Sequence, residues 1–268
     1  MSTLVHRRNT VQNINELIDS APMTSSQLTN DHRASLSARF RAVNATSNRR
    51  IDAWMVEQAG KPYDPFHWTP QIARRVLGTN ALRRSTTRSD LSLIQAVRDE
   101  LADHLLRTTA GYTQSGSLSY WLSGLSHASL GLVCAEAVTW ATTTYEVLQG
   151  IETPWQLAQS DAYYDVSAAR TSLRGRRDIV IKNDEQRVVL RLRAGSPGKS
   201  SGPGLRCDLT IDALASPTGT AASRFIGVWP DAGVCLSVDG TMADLRAGAR
   251  DLVRTAVVQQ RGQMLKAA

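Results

Sequence analysis

Lysine is almost missing from this chain: Lys61, Lys182, Lys199 and Lys266 are the only lysines among 31 basic residues, and the rest are arginine. A GC-rich genome alone produces such a bias. Guanidinium is also the cation that pairs bidentately with carboxylate and phosphate, so the composition admits an acidic partner such as nucleic acid. Cysteine is equally sparse. Cys134, Cys207 and Cys235 are widely spaced, odd in number and without a Cys-x-x-Cys pair. That pattern argues against a disulfide framework or a zinc site and fits a reducing cytoplasm. Aromatic residues make up only 6% of the chain, too few for a single-strand stacking groove. An export signal is not expected, because Arg7-Arg8 is followed by mostly polar residues over 9–19. The long apolar stretch 117–148 carries Glu136 and many Ser and Thr, and no Lys or Arg stands anywhere in 111–160. It predicts buried helices and no membrane partner.

What is present is enough for a sizeable core: 268 residues, 42% of them hydrophobic, with a net charge of +7. The positive excess lies in 1–110 and 161–268, on either side of a mildly acidic middle. Three regions are expected: a flexible polar arm over 1–35, a helical region over 36–115, and a core over 116–268. Within the second, helix is expected over 37–58. A turn over 63–70 then leads, with Thr69 as N-cap and Pro70 in first position, into a helix that ends near Gly78. Ser89 caps the next, which runs to Gly111 with Leu91, Ile94, Val97, Leu101 and Leu105 at helical spacing. One or two buried helices over 117–148, broken near Gly131, form the centre, where His127 and Glu136 need partners.

After Trp155 the period changes to two. Strands are expected over 163–168, 172–181 and 187–194, with Asn183-Asp184-Glu185 as a tight hairpin turn, and Val180, Ile181, Leu190 and Leu192 buried. A Gly/Ser-rich loop over 195–204 follows, then a helix over 205–215, strands over 224–229 and 234–238, and a last helix from 242 to about 260. The fold class is therefore α/β, a mixed central sheet flanked by helices, with a helical N-terminal region.

This order, with Gly175-Arg176-Arg177-Asp178 in one strand and Arg191-Leu192-Arg193-Ala194-Gly195 closing the next, resembles the RecB-like branch of the PD-(D/E)XK nucleases. The family shows a Gly-x-x-Asp strand, a hairpin, a strand ending in Glu-x-Lys-x-Gly, and a helix with Gln-x-x-x-Tyr. The resemblance implies a restriction-endonuclease-like core over 116–268 and a site in which two carboxylates hold a divalent cation beside a lysine. Asp178 matches the first carboxylate. Arg191 stands in place of the second, Arg193 in place of the lysine, and Asp208 and Asp212 at the helix positions. His127, in Gly124-Leu125-Ser126-His127, stands near the position of the family's histidine. Alternation puts Arg191 and Arg193 on one face near Asp178, so an Asp178–Arg191 or Asp178–Arg193 ion pair is expected and a cation meets repulsion.

The functional expectation is a degenerate site at Asp178, Arg191, Arg193 and His127, without a cofactor, in a non-catalytic protein that binds nucleic acid or a protein partner. Nucleic acid would be held by Arg174, Arg176, Arg191, Arg193 and Lys199. The alternative is a Mg-dependent DNase whose second carboxylate has migrated to Asp208, Asp212 or Glu136; a third reading is a scaffold that binds no nucleic acid. Gly198-Lys199-Ser200 lacks the spacing of a phosphate-binding loop, and Gly124-Leu125-Ser126-His127-Ala128 lies in a helical run, unlike a nucleophile elbow. Arg74-Arg75 and Arg83-Arg84 form at most a local basic patch, and His67-Trp68 reads as a packed turn.

Overall fold

The computed structural model describes residues 2–43, 49–58, 69, 72–73, 76, 90–111, 118–149, 154–168, 170–193, 195–230 and 232–267. Helices α1 (Ser2–Asp19), α2 (Asn30–Val43), α3 (Ala53–Gln58), α4 (Asp90–Thr109), α5 (Leu118–Ser123) and α6 (His127–Gln149) precede most of the sheet, with the short strand β1 (Arg49–Asp52) between α2 and α3. Then come β2 (Gln156–Ala168), β3 (Thr171–Lys182), β4 (Arg187–Leu192), α7 (Ser201–Ala215), β5 (Arg224–Trp229), β6 (Val234–Asp239) and α8 (Met242–Ala267).

The α/β class and the mixed six-stranded sheet follow from this order. Strands β2, β3 and β4 form an antiparallel meander, β5 lies parallel to β4 after the α7 crossover, and β6 returns antiparallel to β5. The hairpin between β3 and β4 is set by Asn183, whose Oδ1 accepts the backbone N–H groups of Glu185 (3.0 Å) and Gln186 (2.6 Å). Helices cover both faces. On one side α1, α4, α5 and α6 pack against Ile179, Ile181, Val188, Leu190, Leu192, Ile226 and Val228. On the other, α2, α3, α7 and α8 pack against Leu173, Val180, Val189 and Phe225. Val180, Ile181, Leu190 and Leu192 are buried, as their periodicity predicts.

Four elements differ from the sequence expectation, the first two for a tertiary reason and the last two for a local one. The polar composition of 1–35 predicts a loose arm, yet α1 is a helix whose Ile14 and Ile18 are buried in the α6 layer. A single helix over 37–58 is replaced by α2, β1 and α3, because Arg49–Asp52 hydrogen-bonds in parallel with Thr171–Arg174 of β3. The break in 117–148 falls at 124–126, where Ser126 Oγ accepts the Ser129 N–H (3.2 Å) at the start of α6, and Gly131 lies inside the helix. Helix α7 begins at Ser201, before Gly202-Pro203-Gly204: Pro203 sits in the first turn, where its missing N–H costs nothing. No helix among the described residues is long and apolar enough to cross a membrane. Residues 63–68, Pro70, Arg74-Arg75, Gly78, Arg83-Arg84 and Ser89 lie outside the described residues.

Helix α7 is buried along nearly its whole length between the sheet and α8. Its approach to α8 depends on Gly248, where a Cβ would overlap the carbonyl oxygen of Arg206 and Oγ1 of Thr210. Substitution of Gly248 by valine is expected to force the two helices apart and cost about 1–3 kcal/mol. A lowered urea midpoint with an unchanged slope would show it; an unchanged midpoint would mean the helices are not in contact there.

Candidate functional site

One edge of β3 pairs with β2 along its full length. The other edge is divided, since β1 takes Thr171–Arg174 and β4 takes Ile179–Lys182. Residues 175–178 therefore face an opening between β1 and β4. Their polar groups need other partners, because a buried backbone N–H without one is costly. Into that opening α7 brings Asp208, whose Oδ1 accepts the Arg176 N–H at 3.4 Å. Across from it Asp178 Oδ2 accepts the Leu192 N–H at 2.7 Å.

The guanidinium of Arg191 lies between these two acids. Its Nη1 donates to Asp178 Oδ2 at 2.8 Å and its Nε to Asp208 Oδ2 at 2.9 Å. Arg193 Nη2 adds a second donor to Asp208 Oδ2 at 2.9 Å, and Arg176 Nε lies 2.8 Å from Asp178 Oδ1. The result is a continuous chain, Arg176–Asp178–Arg191–Asp208–Arg193. All five are buried, with Arg191 4% exposed and Asp208 fully enclosed.

A second limb centres on Asp212, one turn further along α7. Its Oδ1 accepts Arg177 Nε (2.7 Å) and Arg187 Nη1 (2.9 Å), and its Oδ2 accepts Arg187 Nη2 (2.6 Å). The limbs are joined by Tyr164. Its hydroxyl donates to the Asp208 carbonyl at 3.1 Å, and the Arg177 guanidinium stacks 4.4 Å from its ring centre. Tyr164 can lie there because Gly175 has no side chain: a Cβ at Gly175 would overlap the ring.

The electrostatics follow from burial and pairing. Burial alone lowers the pKa of Arg191, but the charges of Asp178 and Asp208 and the hydrogen bond to Asp208 outweigh it, leaving the guanidinium above its ordinary value. Burial, then the charges of Asp212 and Asp208, push the Tyr164 phenol well up, so it stays a neutral donor. Five guanidiniums meet three carboxylates here. A divalent cation does not fit this set: both acids that could flank it already hold Arg191, and Arg176 and Arg193 would repel it.

The structure thus brings Asp178, Arg176, Arg191 and Arg193 together. His127 is exposed at the start of α6 and takes part in none of these bonds. Lys199 is exposed in the loop before α7, and Arg174 makes a bidentate pair with Asp165 (2.9 and 3.0 Å) at the partly exposed start of β3. That hydrogen bond from Arg174 is the main cause holding the Asp165 carboxyl below its usual value. Glu136 accepts a hydrogen bond from Thr69 Oγ1 (3.1 Å), elsewhere in the fold.

Arg177, Arg187 and Tyr164 are members that the family pattern does not point to. Their signal was nevertheless present. Asp208 and Asp212 are four apart on one helix face, and Arg187, Arg191 and Arg193 are at even spacing on one strand face, so the two patterns are complementary.

Two predictions follow from this geometry. Asp178→Asn and Arg191→Met are each expected to lose about 3–5 kcal/mol, because each leaves a buried ionic partner behind. The double variant should lose clearly less than the sum. Additive losses in a denaturant cycle would mean that the pair is not coupled. Cys207 and Cys235 are also disfavoured as nucleophiles, since burial raises the Cys207 thiol and pushes that of Cys235 up to about 12. Both are expected to resist iodoacetamide at pH 8 until denaturant is added, which peptide mass spectrometry would read directly.

Neither the protein-family models nor the curated proteins compared with this chain include a match to it.

Proposed function

We propose that this chain is a non-catalytic protein on a nuclease-derived fold, and that it acts by binding nucleic acid or a protein partner, not by hydrolysing phosphodiesters. The observation that carries this reading is the position of Arg191 between Asp178 and Asp208. A two-carboxylate nuclease keeps the space between its acids for a divalent cation. Here a delocalised monovalent cation, with N–H groups aimed at both acids, fills it. Each unit-charge pair held about 4 Å apart at an effective dielectric of about 20 interacts by about 4 kcal/mol, so the neighbouring arginines oppose any added cation strongly. Support for the nuclease ancestry is the order of strand, hairpin, strand, glycine and helix: Asp178 lies in β3, Gly195 follows β4 with φ 68°, and α7 comes next.

One observation favours the alternative of an active, Mg-dependent DNase with a migrated carboxylate: Asp208 reaches the same guanidinium as Asp178. It requires Arg191 to leave, which would strand both acids. The distinguishing experiment is incubation of linear DNA and RNA with Mg²⁺ or Mn²⁺. No cleavage above the metal-free control is expected. Metal-dependent cleavage that disappears in an Asp178→Asn variant with native circular dichroism would overturn the non-catalytic reading.

Nucleic-acid contact at this edge is restricted by burial. Arg176, Arg191 and Arg193 are 5%, 4% and 9% exposed, which leaves Arg174 and Lys199 to reach a phosphate. With a log–log salt slope of about −0.9 per phosphate on duplex DNA, an Arg174→Ala, Lys199→Ala variant is expected to change the slope by no more than about 2. An anisotropy titration at several salt concentrations measures it, and a larger change would mean that the buried arginines open toward the phosphates.

A further inference from the structure

On the far side of α7 from the sheet, helices α2 and α8 pack against one another and leave a groove of about 260 Å³ between them. Its floor is apolar, formed by Leu28, Leu36, Met242, Leu245 and Ala249. Its rim carries Arg39 from α2 and Arg246 and Arg250 from α8, with His32 at one end. No carboxylate is among the lining residues.

The sequence places these residues on one face of each helix. His32, Ser35, Leu36 and Arg39 fall at i, i+3, i+4 and i+7, and Met242, Leu245, Arg246, Ala249 and Arg250 at i, i+3, i+4, i+7 and i+8. Arg39, Arg246 and Arg250 are exposed, and none has a hydrogen bond or ion pair among the described residues. They contrast with the arginines of the sheet, where Arg176, Arg177, Arg187, Arg191 and Arg193 all have acidic partners.

We infer that this groove is a docking site for an acidic amphipathic segment of a protein partner, which sets apolar side chains on the floor and carboxylates against Arg39, Arg246 and Arg250. The inference rests on the binding function proposed above and chooses between its two classes of partner.

Charge complementarity supplies the sign of the ligand. Three like charges around one concavity raise the local potential, and carboxylates entering between them relieve that repulsion while forming charge-assisted hydrogen bonds. The floor supplies the class of ligand. A nucleic-acid backbone would satisfy the arginines but bury nothing on the partly exposed Met242 and Ala249, and no aromatic side chain lines the groove to stack a base. The volume is below the roughly 300–1,000 Å³ typical of small-molecule pockets, so it suits one or two anchoring side chains better than a cofactor. A helix laid in such a groove would use anchors at i, i+3 and i+4 with acids flanking them.

The test uses the full-length protein and a fluorescein-labelled helical peptide with leucine at i, i+3, i+4 and i+7 and glutamate on the flanks. Two control peptides have either glutamine for glutamate or serine for leucine, and a labelled single-stranded DNA is the competing class. The Leu/Glu peptide is expected to bind, to weaken at least about tenfold in an Arg246→Glu, Arg250→Glu variant with native circular dichroism, and to weaken with either control peptide. Arg39→Glu alone should give a smaller loss in the same direction. Absence of binding, or binding unchanged by the charge reversals, overturns the proposal. DNA that binds more tightly and loses affinity in the same variants overturns it in favour of a nucleic-acid groove. None of these outcomes depends on cleavage, so failure here is distinguishable from failure of the non-catalytic reading.

Discussion

The opening in the edge of β3 governs the arrangement of everything around it. A strand that is paired on one side by a single long neighbour and on the other by two short ones has a stretch where ladder bonds stop. In a buried setting those backbone groups must still be satisfied. Asp208 does this for the Arg176 N–H of β3, Asp178 accepts the Leu192 N–H at the end of β4, and two carboxylates are thereby placed inside the fold. Buried carboxylates in turn require cations, and Arg191 serves both at once.

That requirement fixes α7. Its two aspartates, one turn apart, must both face the sheet to meet Arg177, Arg187, Arg191 and Arg193, which sets the rotation of the helix about its axis. The opposite side of α7 is then left to α8, which approaches closely at Gly248. The groove between α2 and α8 is a consequence of the same packing. Replacing such a network with apolar residues is often neutral or stabilising, whereas removing one member is strongly destabilising. Its value lies in orientation, since the rotation of α7 about its axis must bring both of its acids to the arginines of the sheet.

Among the described residues, two groups of arginines have different physical roles. Arg176, Arg177, Arg187, Arg191 and Arg193 on the sheet are paired with aspartates and act within the fold. Arg39 on α2 and Arg246 and Arg250 on α8 remain exposed, without an acidic partner among the described residues. Net charge alone does not separate the two, and the nominal excess of +7 understates how locally that charge is available for a partner.

Local chemistry was enough to specify α4 and most elements of the C-terminal half. Alternation gave β3, β4, β5 and β6, Asn183 gave the hairpin, and helical spacing gave α4 and α8, because each depends on residues close in the chain. The face of α2 was not legible, because its first turns fall in the polar stretch over 1–35 that reads as a loose arm. Tertiary structure alone decided the rest. β1 exists because Arg49–Asp52 finds an edge of β3 more than a hundred residues away, and α1 is packed because α6 offers its apolar face. The partners of Arg191 were only half determined: strand alternation allows Asp178, but Asp208 enters from a helix whose rotation the strand pattern does not contain. Ion pairing depends on distance in space and burial, and neither is a function of sequence separation.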